Sequence, residues 1–203
     1  MEKTVKMRGG VLVDGFWCWL FCRIIIIVAT VEAATTAFQT CPAEVPTIRR
    51  LSDIHQDNYG RPGLAHMTIA GAMDDGLKEV EVWLQTFAPG IGTPIHRHTC
   101  EEIFLSFRGI GTLYLASESS EGKVPGNPNK FPIFRNSTFT IPVNAVHQLR
   151  NDYFQEDLQV LVIISRPPIK VFVYEDWSTP HSDAKLQYPY YWDATKNERL
   201  VCL

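Results

Sequence analysis

Short stretches of alternating apolar and polar side chains run through most of this chain. Between Glu79 and Phe87, the side chains of Val80, Val82 and Leu84 fall on one face of an extended strand and those of Trp83, Gln85 and Phe87 on the other. The same reading predicts strands over residues 65–72, 79–87, 95–98, 102–107, 111–116, 131–135, 138–143, 146–150, 157–165 and 168–175. Gly, Pro, Asn or Ser breaks separate them, and no stretch of helical period rivals them. Strands so closely spaced predict an all-β fold, closed as an antiparallel sandwich or barrel. Ser117 to Lys130, rich in Gly and Pro, is expected to be a surface loop.

Within that pattern one cluster carries chemistry. His96 and His98 stand two residues apart, which brings both imidazoles to one face of a strand but would point them roughly 200° apart on a helix. Glu102 keeps the same parity, and His147, far downstream, offers a fourth donor. Three imidazoles and one carboxylate suit a divalent cation such as zinc, manganese or iron(II), with room for a water or substrate atom if coordination expands. Cys100 shares the parity too and is read as a small buried apolar residue, not as a ligand.

Gly90, His96, His98, Glu102 and Gly109, followed by Pro142, His147 and Asn151, resemble the two motifs of the cupin superfamily. Asn136 and Asn144 stand where the second motif usually has glycine. Asparagine is the next best residue for positive φ, so the turn at Asn144 is expected to form. Residues 78–86, 93–98, 158–168 and 189–193 are similar to the plant auxin-binding protein 1 family, within a resemblance running from about Cys41 to Asp193. The resemblance implies a cupin jelly-roll β-barrel with little helix. It also implies a metal, zinc with manganese as the alternative, on His96, His98, Glu102 and His147. Leu64, Trp83, Gln85, Thr93, Pro94, Val171, Tyr190 and Trp192 would line the pocket for auxin, a small aromatic carboxylate. Arg61 lies in a loop where the family tends to be apolar, a departure expected to loosen that pocket.

Composition narrows the setting. The chain has 203 residues, 45% of them hydrophobic, and a net charge of -3. With no basic block, this argues against nucleic acid or an anionic membrane as partner. Lys3, Lys6 and Arg8 precede an apolar stretch from Val11 to Val28 and then small residues. This predicts a signal peptide over 1–33, a cupin domain over 34–193 and a non-matching tail over 194–203. Asp14 and Arg23 interrupt the apolar stretch and argue against a membrane anchor.

Cleavage removes Cys18 and Cys22 and leaves Cys41, Cys100 and Cys202 in an oxidising compartment. The resemblance implies a disulfide from Cys41 to a cysteine soon after Trp192; the candidate here is Cys202, although Ala194 to Leu203 does not match the family. The tail also lacks KDEL, so the expected location is the secretory pathway, in the endoplasmic reticulum lumen or outside the cell. Asn136-Ser137-Thr138 forms the one glycosylation triplet of the chain, at the asparagine where the family carries its glycan.

Periodicity alone leaves Trp83 as either pocket wall or ordinary core; the resemblance implies the wall. It further implies a receptor in auxin-activated signalling and cell growth, a homodimer, and a membrane-anchored co-receptor. A germin-like manganese oxidase is the alternative, because related cupins act on small acids with the same ligand set. Such an enzyme needs a general acid or base, and the one ionisable candidate in the motif besides the ligands, Glu101, should face away by parity. A purely structural zinc ranks last, since such sites are closed and rich in sulfur. Proton competition for the imidazoles predicts weaker binding in acid.

Overall fold

A computed structural model of the chain describes residues 46–117 and 122–194. The expected signal peptide, Cys41, Cys202 and the tail beyond Ala194 lie outside the described residues. The described residues form eleven strands: β1 (Leu64–Ala70), β2 (Val80–Phe87), β3 (Ile95–His98), β4 (Glu102–Arg108), β5 (Gly111–Leu115), β6 (Asn129–Ile133), β7 (Thr138–Ile141), β8 (His147–Arg150), β9 (Leu158–Ser165), β10 (Val171–Tyr174) and β11 (Lys185–Gln187). Two single-turn helices, α1 (Ala72–Asp75) and α2 (Tyr191–Ala194), accompany them. Among the described residues, no helix is long and apolar enough to cross a membrane.

The strands form two sheets, in the orders β1-β2-β9-β4-β7 and β11-β10-β3-β8-β5-β6. Every pairing between neighbours is antiparallel, and the expected cupin jelly roll results. Alternation decides which side chains face inward. On β9, Leu158, Val160, Val162 and Ile164 are each 0% exposed, and the residues between them are half-buried. On β2 the inward set is Glu81, Trp83, Gln85 and Phe87, while Val80 is exposed.

Two elements differ from the sequence reading. β6 starts at Asn129, inside the expected loop, because Asn129 and Lys130 pair with Leu115 and Tyr114 of β5. β11 was not expected at all. Three residues long and mostly exposed, it carries no alternation to detect and exists by pairing along β10.

The turns behave as their residue types require. Asn136 and Asn144 adopt φ of 65° and 63°, so asparagine does there what glycine does elsewhere. Gly109 has φ +79°, and a Cβ on it would lie 2.4 Å from the Asp157 carbonyl oxygen; conformation and space both exclude a side chain.

Removing inward volume from β9 should therefore cost far more than trimming the outer face of β2. Leu158→Ala is expected to destabilise the fold by about 2–5 kcal/mol and Val80→Ala by about 0.5 kcal/mol or less, as measured by urea unfolding. Similar losses for both would contradict the assignment of faces.

Candidate metal centre and adjoining cavity

His96 and His98 point inward from β3, as their spacing predicts. Glu102 reaches the same place by another route. The sequence reading treats it as a continuation of the same strand face, but the chain turns at Thr99 and Cys100 and Glu102 opens β4, which belongs to the opposite sheet. His147 opens β8 and pairs with His96 across the β3–β8 ladder. The donor atoms of all four buried residues lie within 4.8 Å of one another.

Backbone carbonyls fix each ring. Nδ1 of His96 lies 2.9 Å from Pro94 O, that of His98 2.9 Å from Cys100 O, and that of His147 2.9 Å from Ala145 O. A carbonyl only accepts, so each Nδ1 carries a proton, and with a metal bound each Nε2 would turn its lone pair toward the centre. Nε2 of His98 sits 3.0 Å from Glu102 Oε2. Nε2 of His147 lies 3.1 Å from the same oxygen but makes no hydrogen bond, a buried polar atom with an unmet requirement. The donor set and this orphaned nitrogen both fit a divalent cation bound by three imidazoles and a carboxylate.

Electrostatics without the ion point the same way. Burial depresses His96 well below the usual imidazole range, and the neighbouring His147 and His98 add to the effect. Burial would also depress His98, but the Glu102 charge overrides it and pushes His98 up to about 10. Glu102, which burial alone would raise, is held below the usual carboxylate range by His98 and by hydrogen bonding.

A cavity of about 20 Å³ adjoins this centre, lined by His96, His98 and Glu102 on one side. All eight residues expected to form the pocket line it: Leu64, Trp83, Gln85, Thr93, Pro94, Val171, Tyr190 and Trp192. Trp83 thus faces the barrel interior, its Nε1–H donating to Glu81 Oε2 at 3.2 Å, while Glu81 Oε1 accepts from the Ala72 backbone at 2.8 Å. Trp192 stacks on His66 with centroids 3.9 Å apart and meets Trp83 and Tyr190 edge-on. Gln85 Nε2 lies 3.3 Å from His66 Nδ1.

The sequence reading missed Phe87 and Ile169 as lining residues, and it treated Arg61 as a mere loosening of the pocket. It also missed His66 behind Gln85. Parity was the available signal for two of these: Phe87 follows Trp83 and Gln85 on β2, and His66 sits between Leu64 and Thr68 on the inward face of β1. Cys100 is buried and free, with Sγ 3.5 Å from His98 Nδ1, the nitrogen that faces away from the centre. Glu101 is exposed, as its parity predicts. Asn136 is exposed on the turn between β6 and β7.

Two outcomes follow from this geometry. His147→Ala should abolish stoichiometric uptake of divalent metal, measured by elemental analysis after dialysis. The Glu102 charge holds His98 above the usual imidazole range, and coordination requires it deprotonated, so metal binding at pH 7 should release a proton. Affinity should then rise up to roughly tenfold per pH unit toward pH 10, and calorimetric titration in buffers of different ionisation enthalpy would count that proton.

The chain matches the family described as "Auxin binding protein" over residues 37–199. "Auxin-binding protein T92" of Nicotiana tabacum is 61% identical over 172 residues, covering 84% of this chain and 91% of the relative. "Auxin-binding protein 1" of Arabidopsis thaliana is 62% identical over 154 residues, covering 75% and 76%. Among solved structures, oxalate decarboxylase from Lactobacillus farciminis in complex with formate aligns at TM-score 0.51 and 15% identity, over 66% of this chain and 38% of that one. The polyketide cyclase RemF from Streptomyces resistomycificus aligns at 0.50 and 20% identity, over 65% and 89%. At such identities these structures speak for the fold alone. Relatives of this identity, aligned over most of their own length, leave one conclusion: the chain belongs to the auxin-binding protein family.

Proposed function

We propose that this chain binds auxin, as indole-3-acetic acid, inside the barrel and acts as a receptor in auxin-activated signalling and growth. The observation that carries the reading is the meeting of an aromatic, amide-bearing cavity with His96, His98 and Glu102. The similarity to auxin-binding proteins of Nicotiana tabacum and Arabidopsis thaliana supports it.

The metal we assign to His96, His98, Glu102 and His147 is zinc, with manganese as the alternative. When bound there, it supplies an open coordination position for a ligand carboxylate. The chain's own residues do the rest. Gln85 keeps a second amide hydrogen to donate beyond the one directed at His66. Thr93 Oγ1 accepts from the Leu149 backbone at 3.0 Å, which leaves its hydroxyl hydrogen to donate to the ligand. Trp83, Trp192 and Pro94 offer flat apolar surface to an indole ring.

A cavity of about 20 Å³ has room for roughly one water, so an indole acid enters by displacing lining side chains. We assign that movement to the segment carrying Tyr190 and Trp192, which belongs to neither sheet.

Binding, not turnover, is the proposed activity. The germin-like oxidase alternative calls for an acid or base beside the metal, and Glu101 is exposed, away from the cavity. The proposal also includes a signal peptide leading into the secretory pathway, a glycan on the exposed Asn136, a homodimer and a membrane-anchored co-receptor. The basic-then-apolar N-terminus and the Asn136-Ser137-Thr138 triplet support the first two.

The test is calorimetric titration of the zinc-loaded protein with indole-3-acetic acid, repeated after chelation. Binding should require the metal, and Trp83→Ala should weaken it roughly tenfold or more with metal content unchanged. Zinc retained without any binding of the acid would reject the receptor reading and direct attention to oxidase assays under manganese.

A further inference from the structure

Arg61 is the cavity-lining residue that neither the fold nor the metal centre explains. It sits in a tight loop before β1, where its N–H donates to Asn58 O at 2.9 Å and its own carbonyl accepts from Leu64 N at 3.1 Å. Its guanidinium is partly buried in the cavity wall. Nη2 donates to Gly92 O at 3.1 Å, and the positive charge works on the neighbouring Tyr190 phenol against the burial that raises it. A guanidinium carries five donors, and Arg61 takes part in none of the ion pairs found among the described residues. Glu102 lines the same cavity at the metal centre, but no carboxylate among the described residues stands at ion-pair distance from Arg61, so its remaining donors are open to an anionic ligand.

A second observation agrees. Trp192 Nε1, buried in the same wall, has no hydrogen-bond partner among the described residues. With the Tyr190 hydroxyl and the Gln85 amide, the cavity presents several donors. A group that only accepts, and carries negative charge, matches that set.

We infer that Arg61 is a charge-selecting residue of the pocket, contributing recognition of the ligand's ionised carboxylate separate from the metal. This rests on the binding function proposed above and adds the residue that enforces charge. Arg61 would act on the ligand directly, with its guanidinium held in place by the Gly92 carbonyl.

The experiment compares wild type, Arg61→Gln and Arg61→Lys, each zinc-loaded and checked for equal metal content and thermal unfolding. Each is titrated with indole-3-acetate and with the neutral indole-3-acetamide. Arg61→Gln should lose roughly tenfold in affinity for the acid while amide binding stays within about twofold, and Arg61→Lys should keep most of the acid preference. An unchanged acid-to-amide ratio in Arg61→Gln would overturn the inference. If wild type binds neither indole compound, the auxin reading fails and benzoate decides Arg61 separately. Weaker benzoate binding in Arg61→Gln would uphold the charge-selecting role, and equal or absent benzoate binding would reject it.

Discussion

Four buried polar donors held in the middle of an apolar barrel constrain everything around them. His98, Glu102 and His147 are at most 4% exposed, and burying such groups is costly unless each is partnered. The partners are built from the backbone: every imidazole has its Nδ1 fixed by a carbonyl two residues away. One of those carbonyls belongs to Cys100, in the turn that carries the chain from one sheet to the other. The turn that passes the chain between the sheets is consequently part of the metal centre as well. A defect in that turn would move Glu102 relative to both histidines and leave buried charge unpaired.

The strands were legible because their side chains alternate, and the ligand set because His-x-His has one useful geometry on a strand. Parity gave the right residue at Glu102 for a reason it does not contain. The reading assumed one continuous face, whereas the turn at Thr99 and Cys100 delivers Glu102 from the opposite sheet, and only tertiary structure distinguishes the two. β11 was illegible because nothing in Lys185 to Gln187 alternates; its strand character comes from β10. Asn136 and Asn144 show the opposite case, where a departure from a motif was readable once the backbone demand for positive φ was considered.

Pocket residues divide along the same line. Trp83, Gln85 and Phe87 share a strand face, so their common fate follows from period alone once one of them is known to face inward. Arg61, Ile169, Tyr190 and Trp192 come from outside the strands, where no period operates. Resemblance located the two aromatic residues but turned attention away from Arg61, because a residue that departs from a family pattern reads as a defect until its surroundings are seen. Those surroundings are a loop pinned by Asn58 and a carbonyl at Gly92, which hold a cation at the cavity wall.

The aromatic wall also bears on which ligands the proposed site would accept. Trp192 touches His66, Trp83, Tyr190 and Tyr59 through ring contacts, and pairs of this kind contribute about 0.5–1.5 kcal/mol each beyond area burial. With a cavity of about 20 Å³, a ligand ring gains its place by exchanging with such contacts, not by filling empty space. A planar aromatic body restores what it displaces, face for face and edge for edge. An aliphatic acid of equal size would meet the same charge recognition yet leave the ring contacts unreplaced. Shape selectivity for aromatic acids thus follows from the wall being already packed, while charge selectivity comes from the centre and Arg61, so the two properties are carried by different residues.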